Sequence, residues 1–226
     1  MKHSGLLIVE RVIAGHPVGK KEGYFSPEIS RQLRKEISPE LYKHCQETAR
    51  TAVRLAVRYS VEGQKAWLAG MLHDYAREWS FPKLREYIRR NRLSIPPAGG
   101  EIAGLLHAYV GADAALRRWG ITDSDVRNAI RRHTIGAVRM TRLDKIIYVA
   151  DYIEPTRKLP RVKEIRRLAG KDLDQALLLV LKQKMLYLIK KGVSIFPYTL
   201  KVWNYYQEKG GHKTKEVFLP FVRGGR

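Results

Sequence analysis

The sequence predicts an all-α fold, a helical bundle over residues 36–208, from three observations. From Ser38 onward, apolar residues recur at helical spacing in one segment after another. Residues that start and stop helices bound these segments, since Ser38 precedes Pro39 and the long stretch 172–191 ends at Gly192. Short β-prone runs stand out only near the N-terminus. We therefore expect strands to have no part in the core.

The first 35 residues differ from the rest of the chain. They contain four glycines, two prolines and the β-prone run LLIVERVIA. We interpret residues 1–35 as an N-terminal extension with a small hairpin, residues 36–208 as the helical domain, and residues 209–226 as a flexible basic tail.

Within the domain, the predicted helices follow one another in chain order. The first runs from Pro39 through Tyr59, with Ser38 as its N-cap, and the second runs from Gly63 to Arg77. A shorter amphipathic helix follows Ser80, and a loop rich in Pro and Gly follows at 96–100. The later helices are predicted at 101–119, 123–134, 141–153, 161–168 and 172–191, with a last one in SIFPYTLKVWNYYQEK.

The net charge and the cysteine content limit which partners and which cell compartment the sequence favours. Lysine and arginine number 43 against 22 acidic residues, a formal charge of +21 that favours an anionic partner such as a nucleotide, RNA or an anionic membrane surface. A general ionic surface is the plain alternative. The most apolar early run is broken by Glu10 and Arg11, so we expect neither a signal peptide nor a membrane-spanning helix. Because Cys45 is the only cysteine, an internal disulfide is excluded and a cytoplasmic location is predicted.

Six residues that can ligate a metal fall on or at the ends of predicted helices. Helices of a bundle can bring such side chains to one centre. Mixed imidazole and carboxylate ligands suit a divalent transition metal, which can activate a water molecule near neutral pH. For each residue alone, a hydrogen-bonded core position or a helix–helix contact is the plain alternative; the joint order favours a metal site. In chain order these residues are His44, His73, Asp74, His107, His133 and Asp151.

The order His, His-Asp, Asp resembles the HD-domain superfamily of metal-dependent phosphohydrolases. Five segments are similar to the YqeK family of bacterial HD proteins, over about residues 38–206: HDYAR, HAYVGA, AIRRHTIG, LDKIIYVADYIEPTRK and SIFPYTLKVWNYY. Members of that family are symmetrical bis(5′-nucleosyl)-tetraphosphatases. The resemblance implies a helical HD bundle, diadenosine tetraphosphate or a related dinucleoside polyphosphate as substrate, and ADP as product.

The resemblance also implies roles for individual residues. It implies a metal, preferably iron with manganese or cobalt as alternatives, held by His44, His73, Asp74 and Asp151. The implied nucleotide contacts are His107, His133, Thr134, Arg157, Ser194, Ile195, Phe196, Pro197, Tyr198, Thr199 and Tyr205. The implied catalytic residues are Asp74, Arg77, His107 and His133. Whether His107 and His133 contact phosphate or bind a second metal stays open.

Three positions depart from the family pattern. Leu41 stands where an arginine is common, Cys45 where Ser or Thr is usual, and Arg77 where many members have lysine. The missing arginine weakens one expected phosphate contact.

Two other functions stay open. One is an HD phosphohydrolase acting on guanosine tetraphosphate, nucleoside monophosphates or cyclic dinucleotides. The other is a non-enzymatic protein that binds nucleotide or RNA through its basic surface. A homodimer is a further open assignment, and no membrane partner is expected.

Overall fold

The computed structural model describes residues 26–96 and 103–209. In these two ranges the secondary structure consists of ten α-helices without a strand, which confirms the all-α prediction. No helix in the described ranges is long and apolar enough to cross a bilayer. The helices are α1 (Pro27–Glu36), α2 (Pro39–Arg58), α3 (Gly63–Leu72), α4 (Phe81–Asn91), α5 (Ala103–Trp119), α6 (Ser124–Arg132), α7 (Arg142–Ile153), α8 (Val162–Ala169), α9 (Leu173–Lys190) and α10 (Pro197–Lys209).

Helix α1 lies within the segment that we predicted to be an extension. The Ser26 hydroxyl accepts a hydrogen bond from the Ile29 N–H at 3.3 Å and caps the helix, and Pro27 occupies the first helical position. Ile29 and Leu33 are buried in the main core. Residues 27–36 therefore pack as part of the bundle. The predicted hairpin at LLIVERVIA and the tail beyond Lys209 lie outside the described residues.

Helices α2 and α3 pack closely because small residues line their contact. Ala49 on α2 is fully buried, and Gly70 on α3 lies directly against it. A Cβ atom added at Gly70 would lie 2.6 Å from the Ala49 Cα, a distance that real Cβ contacts do not reach. The absence of a side chain at Gly70 thus allows the two helices to approach and brings the end of α3 beside α2.

Replacing Gly70 with alanine should destabilise the protein by about 1–3 kcal/mol, because the new methyl group clashes with the α2 backbone. The matched control is Gly104→Ala on α5, where an added Cβ meets nothing within 4 Å. That change should be neutral or stabilise by about 0.5–1 kcal/mol, since alanine favours a helix over glycine. Urea denaturation measures both variants. A Gly70→Ala variant as stable as wild type would refute the close approach.

Helix α3 is shorter than predicted, because it ends at Leu72 rather than near Arg77. After Leu72 the chain forms successive tight turns, in which the N–H groups of Tyr75, Arg77 and Trp79 donate to carbonyls three residues earlier at 2.9–3.2 Å. Such bonds wind the backbone more tightly than an α-helix does. Apolar periodicity continues through these turns, so periodicity alone could not locate the end of the helix.

Helix α7 is the central element and packs against α2, α3, α6, α8 and α9. Thr141 and Asp144 form a capping box at its N-terminus, where each side chain accepts a hydrogen bond from the backbone N–H of the other. The helix is buried from Ile146 through Ile153. A carboxylate near the end of this helix, such as Asp151, is therefore held inside the bundle.

Candidate metal centre

Four of the predicted ligand residues converge in the structure. The Nε2 atom of His44 on α2 lies 3.2 Å from the Nε2 atom of His73 and 3.2 Å from Oδ1 of Asp151. Oδ2 of Asp74 lies 3.5 Å from His73 Nε2 and 3.7 Å from His44 Nε2. Residues from α2, the turn after α3 and α7 thus present nitrogen and oxygen atoms to one point.

These separations fit a bound divalent cation. Adjacent ligands of an octahedral ion with bonds near 2.1 Å lie about 3 Å apart. The donor atoms of His44, His73 and Asp151 lie within 4.8 Å of one another, and so do those of His73, Asp74 and His133. The set combines imidazole nitrogens with carboxylate oxygens, the ligands of divalent transition metals. The residues present therefore suit the metal that the sequence implied.

A second group of side chains adjoins the first and shares Asp74 with it. Oδ1 of Asp74 lies 3.2 Å from Nε2 of His107 and 3.1 Å from Nε2 of His133, and the two imidazole nitrogens are 3.2 Å apart. One oxygen of Asp74 thus faces His44 and His73, while the other faces His107 and His133. All six predicted ligand residues are buried.

Hydrogen bonds on the far side of the rings orient the imidazoles. Nδ1 of His73 donates to the Gly70 carbonyl at 2.8 Å, and Nδ1 of His133 donates to the Ile130 carbonyl at 2.7 Å. Nδ1 of His44 lies 3.2 Å from Oε1 of the buried Glu154. With Nδ1 occupied in this way, each Nε2 presents its lone pair to the centre, as metal-binding histidines do.

The carboxylates of the centre are held in their charged form. Burial on its own raises the pKa of Asp74, but the neighbouring imidazoles of His73, His107 and His133 hold that pKa well below its usual range. Burial likewise raises the pKa of Asp151, but the hydrogen bond from His44 and the charge of Lys184 hold it well below its usual range. Both side chains can therefore ligate a cation near neutral pH.

The histidines differ in how they respond to burial. Burial lowers the pKa of His73 to about 3, so its ring stays neutral. Burial also tends to lower the pKa of His44, but its hydrogen bond with Asp151 and the charge of that carboxylate raise the pKa above the ordinary value of 6.5. A proton therefore competes with a metal more readily at His44 than at His73.

Three cationic side chains surround the carboxylates. Nη2 of Arg157 lies 2.8 Å from Asp151 Oδ1 and 3.2 Å from His44 Nε2. Nη1 of Arg77 lies 3.4 Å from Asp74 Oδ2, and half of its side chain is exposed. Nζ of Lys184 on α9 lies 3.6 Å from Asp151 Oδ2. Arg77 and Arg157 were expected from the sequence, whereas Lys184 was not.

The remaining nucleotide contacts implied by the sequence divide into two groups. Thr134 lies at the centre, with its hydroxyl 3.3 Å from Nε2 of His133. Residues 194–199 lie between α9 and the start of α10, where the Tyr198 hydroxyl accepts a hydrogen bond from the Val138 N–H at 3.4 Å. Among the hydrogen bonds and ion pairs of the described residues, none joins residues 194–199 or Tyr205 to the six ligand residues.

Tyr205, which lies on α10, instead lines an open pocket of about 520 Å³. Lys145, which also lines it, precedes Asp151 by six residues on α7, which is about 9 Å along the helix axis. The pocket therefore lies away from the predicted ligands along α7. Its lining residues are Arg139, Met140, Lys145, Tyr205, Tyr206 and Lys209.

Leu41 and Cys45, the two residues near His44 that depart from the family pattern, both pack in the core. Leu41 is buried among apolar residues and brings no cation to the centre. Cys45 is fully buried, and burial raises the pKa of its thiol well above its usual range. A neutral, enclosed thiol acts as a small apolar residue rather than as a ligand.

Two residues of the site were missed from the sequence. Glu154 follows Asp151 by three residues, so helical spacing places both on one face and offered a signal. Lys184 lies on another helix in a segment with several lysines, and no local pattern distinguishes it.

Residues 41–156 match the family model described as HD domain, a span that includes all six converging residues. The chain belongs to the HD domain family. Within it, the chain is 39% identical over 175 residues to the Bacillus subtilis protein named "Bis(5'-nucleosyl)-tetraphosphatase, symmetrical", covering 76% of this chain and 92% of that one. A Staphylococcus aureus protein of the same name is 36% identical over 184 residues, covering 79% and 93%.

A solved structure supports the same family. The crystal structure of a predicted HD superfamily hydrolase involved in NAD metabolism from Clostridium acetobutylicum superposes with a TM-score of 0.78 at 36% sequence identity. The match covers 83% of this chain and 100% of the Clostridium acetobutylicum chain. The HD assignment therefore rests on sequence and on the path of the backbone together.

Proposed function

We propose that this HD domain protein is a metal-dependent hydrolase that cleaves diadenosine tetraphosphate and related dinucleoside polyphosphates symmetrically to two ADP. One observation carries the proposal: His44, His73 and Asp151 converge, with Asp74 beside both histidines, in a chain whose relatives are named symmetrical bis(5′-nucleosyl)-tetraphosphatases. Hydrolysis breaks a phosphorus–oxygen bond between the two central phosphates, and water supplies the oxygen that completes the second ADP.

The metal is held, on this proposal, by His44, His73, Asp74 and Asp151. Iron is the preferred ion, with manganese or cobalt as alternatives, as the similarity to the family implies; the mixed set of imidazoles and carboxylates suits all three ions. When bound, a divalent ion supplies Lewis acidity and positive charge at the phosphorus that is attacked. Glu154, through its contact with His44 Nδ1, keeps that ring turned toward the ion.

The substrate's phosphates bind, on this proposal, to the cationic and imidazole groups around Asp74. Arg77 and Arg157 neutralise phosphoryl oxygens whose charge redistributes in the transition state. His107 and His133 hold either a phosphoryl oxygen or a second cation, and Thr134 donates its hydroxyl to a phosphate beside His133. Asp74 joins the two groups of imidazoles, because each of its oxygens faces two of them.

One nucleoside half extends from the centre toward α10. Residues 194–199 and Tyr205 contact that half, as the similarity to the family implies. On this proposal the diphosphate spans the roughly 9 Å along α7 that separate Lys145, which lines the pocket of Tyr205, from Asp151. Held in this way, the substrate would place a central phosphorus beside His44, His73, Asp74 and Asp151, the residues that would hold the metal, which gives symmetrical cleavage.

Other assignments depend on composition more than on the site. The formal charge of +21 supports attraction of polyanions, including RNA. A cytoplasmic location, predicted from the single cysteine, is of the same kind. A homodimer stays an open assignment. The described site itself favours a small phosphorylated ligand, because its carboxylates and imidazoles are buried between helices and its basic side chains converge on them rather than spread over a surface.

Product analysis tests the proposed function. Metal-loaded protein is incubated with diadenosine tetraphosphate and the nucleotides are separated by anion-exchange chromatography. We expect ADP alone, and no product after chelation of the metal. ATP with AMP would contradict symmetrical cleavage. Turnover of guanosine tetraphosphate or a cyclic dinucleotide, with diadenosine tetraphosphate left intact, would contradict the substrate assignment.

A further inference from the structure

Lys184 occupies an unusual position for a lysine. It follows Val180 by four residues and Leu181 by three on α9, so it continues the buried stripe of that helix. Each earlier position of the stripe carries an apolar side chain. An apolar residue at this position would pack against α7 without the cost of desolvating an ammonium group. The lysine is therefore better explained by function than by stability.

The ammonium group of Lys184 lies between the two halves of the metal centre. Nζ donates to the carbonyl oxygen of His133 at 3.2 Å and lies 4.0 Å from the centroid of the Tyr148 ring. Asp151 Oδ2 is 3.6 Å away, which is beyond hydrogen-bond distance. An ammonium has three donors, so this set of neighbours leaves donor capacity for another acceptor. A quarter of the side chain is exposed, so Lys184 lies at the border between the core and the solvent.

Charge balance indicates what that acceptor is. The side chains of the centre include three carboxylates, those of Asp74, Asp151 and Glu154, and three basic groups, those of Arg77, Arg157 and Lys184. A divalent cation ligated by Asp74 and Asp151 adds positive charge to this balanced set. The centre then favours an anion, and an ammonium with free donor capacity beside Asp151 is placed to bind it.

We propose that Lys184 is a further catalytic residue of this site, whose ammonium contacts a phosphoryl oxygen of the bound nucleotide between Asp151 and His133. The proposal rests on the proposed function in so far as the ligand is a nucleoside polyphosphate. It adds a third basic side chain to Arg77 and Arg157, and it brings α9 into substrate binding.

Lys184→Met tests this contact because methionine keeps an unbranched, apolar stem without the charge. The matched control is Lys182→Met, which removes the same charge from an exposed position on the same helix. In the metal-loaded protein we expect Lys184→Met to lower kcat/KM and ADP affinity by about ten- to hundredfold, the loss typical of one hydrogen bond to a charged group. Lys182→Met should leave both within about twofold of wild type, as surface changes usually do.

Two further measurements separate substrate contact from a structural role. Bound metal, determined by elemental analysis, and the melting temperature should stay close to wild type in Lys184→Met. Lys184→Arg should recover most of the ADP affinity, since it restores the charge. Wild-type ADP affinity in Lys184→Met would overturn the proposal. So would loss of metal in both Lys184 variants, which would indicate a purely structural role.

The same experiment distinguishes this proposal from the proposed function. Calorimetric titration with ADP reports on Lys184 without turnover. If wild-type protein fails to cleave diadenosine tetraphosphate but binds ADP more tightly than Lys184→Met does, the proposed reaction fails and the role of Lys184 stands. If cleavage occurs and ADP affinity is equal in both proteins, the reaction stands and the role of Lys184 fails.

Discussion

Asp74→Asn should abolish hydrolysis and metal retention while the protein stays folded. Asp74 is shared by both groups of the centre, since Oδ2 faces His44 and His73 and Oδ1 faces His107 and His133. Asparagine has the same shape but lacks the charge, and its NH₂ group presents donors where a ligand oxygen is needed. The loss in kcat should be larger than the loss of about 10–100-fold that is typical when a residue that only supports a metal ligand is changed.

Elemental analysis, circular dichroism and the product assay together check the Asp74 prediction. Asp125→Asn is the matched control, because Asp125 is an exposed carboxylate far from the centre in the first turn of α6. Folding should survive in Asp74→Asn, since the amide can donate to the neutral Nε2 atoms that now face the carboxylate. A variant that keeps its metal and hydrolyses the substrate at the wild-type rate would refute the assignment of the centre.

Removal of the metal should lower the melting temperature by about 10 °C. A ligand present at about 1,000 times its dissociation constant stabilises the folded state by about 4 kcal/mol, and about 1 kcal/mol shifts the melting temperature of a protein of this size by about 2–4 °C. The effect is expected because the ligands come from α2, the turn after α3 and α7, so one ion joins three segments. Differential scanning calorimetry with and without chelator measures it.

The gain in melting temperature that the bound metal gives should be smaller at low pH than at neutral pH. Burial tends to lower the pKa of His44, but Asp151 raises it above 6.5, so a proton occupies the metal-free ring as pH falls through that raised value. The proton then competes with the ion, and the gain in melting temperature should shrink as the solution is acidified. His73→Ala serves as the control, because it removes a ligand and should show little gain at any pH. An equal gain in wild type and His73→Ala would place the ion elsewhere.

Local sequence patterns were sufficient to predict most of the helices and where several of them begin. Ser38 caps α2 as predicted, and Asp123 caps α6 in the same way, because a capping side chain acts on N–H groups only two or three residues away. The same local rule fails at the end of α3. There the apolar pattern continues past Leu72, while bonds to carbonyls three residues back replace the helical ones. Helix α1 was missed because the Gly-rich residues before it suggested an extension.

The candidate ligand residues could also be predicted from the sequence, since His73 and Asp74 are adjacent and each remaining candidate falls on or at the end of a predicted helix. Their arrangement could not. His44 and Glu154 meet across 110 residues, and Lys184 meets His133 across 51. The sharing of Asp74 between two groups likewise depends on how α2, α5, α6 and α7 pack around the turn after α3. Sequence determined which residues could bind a metal, because that is a property of each side chain. Only tertiary structure decided which of them meet, because packing sets the distances between residues far apart in the chain.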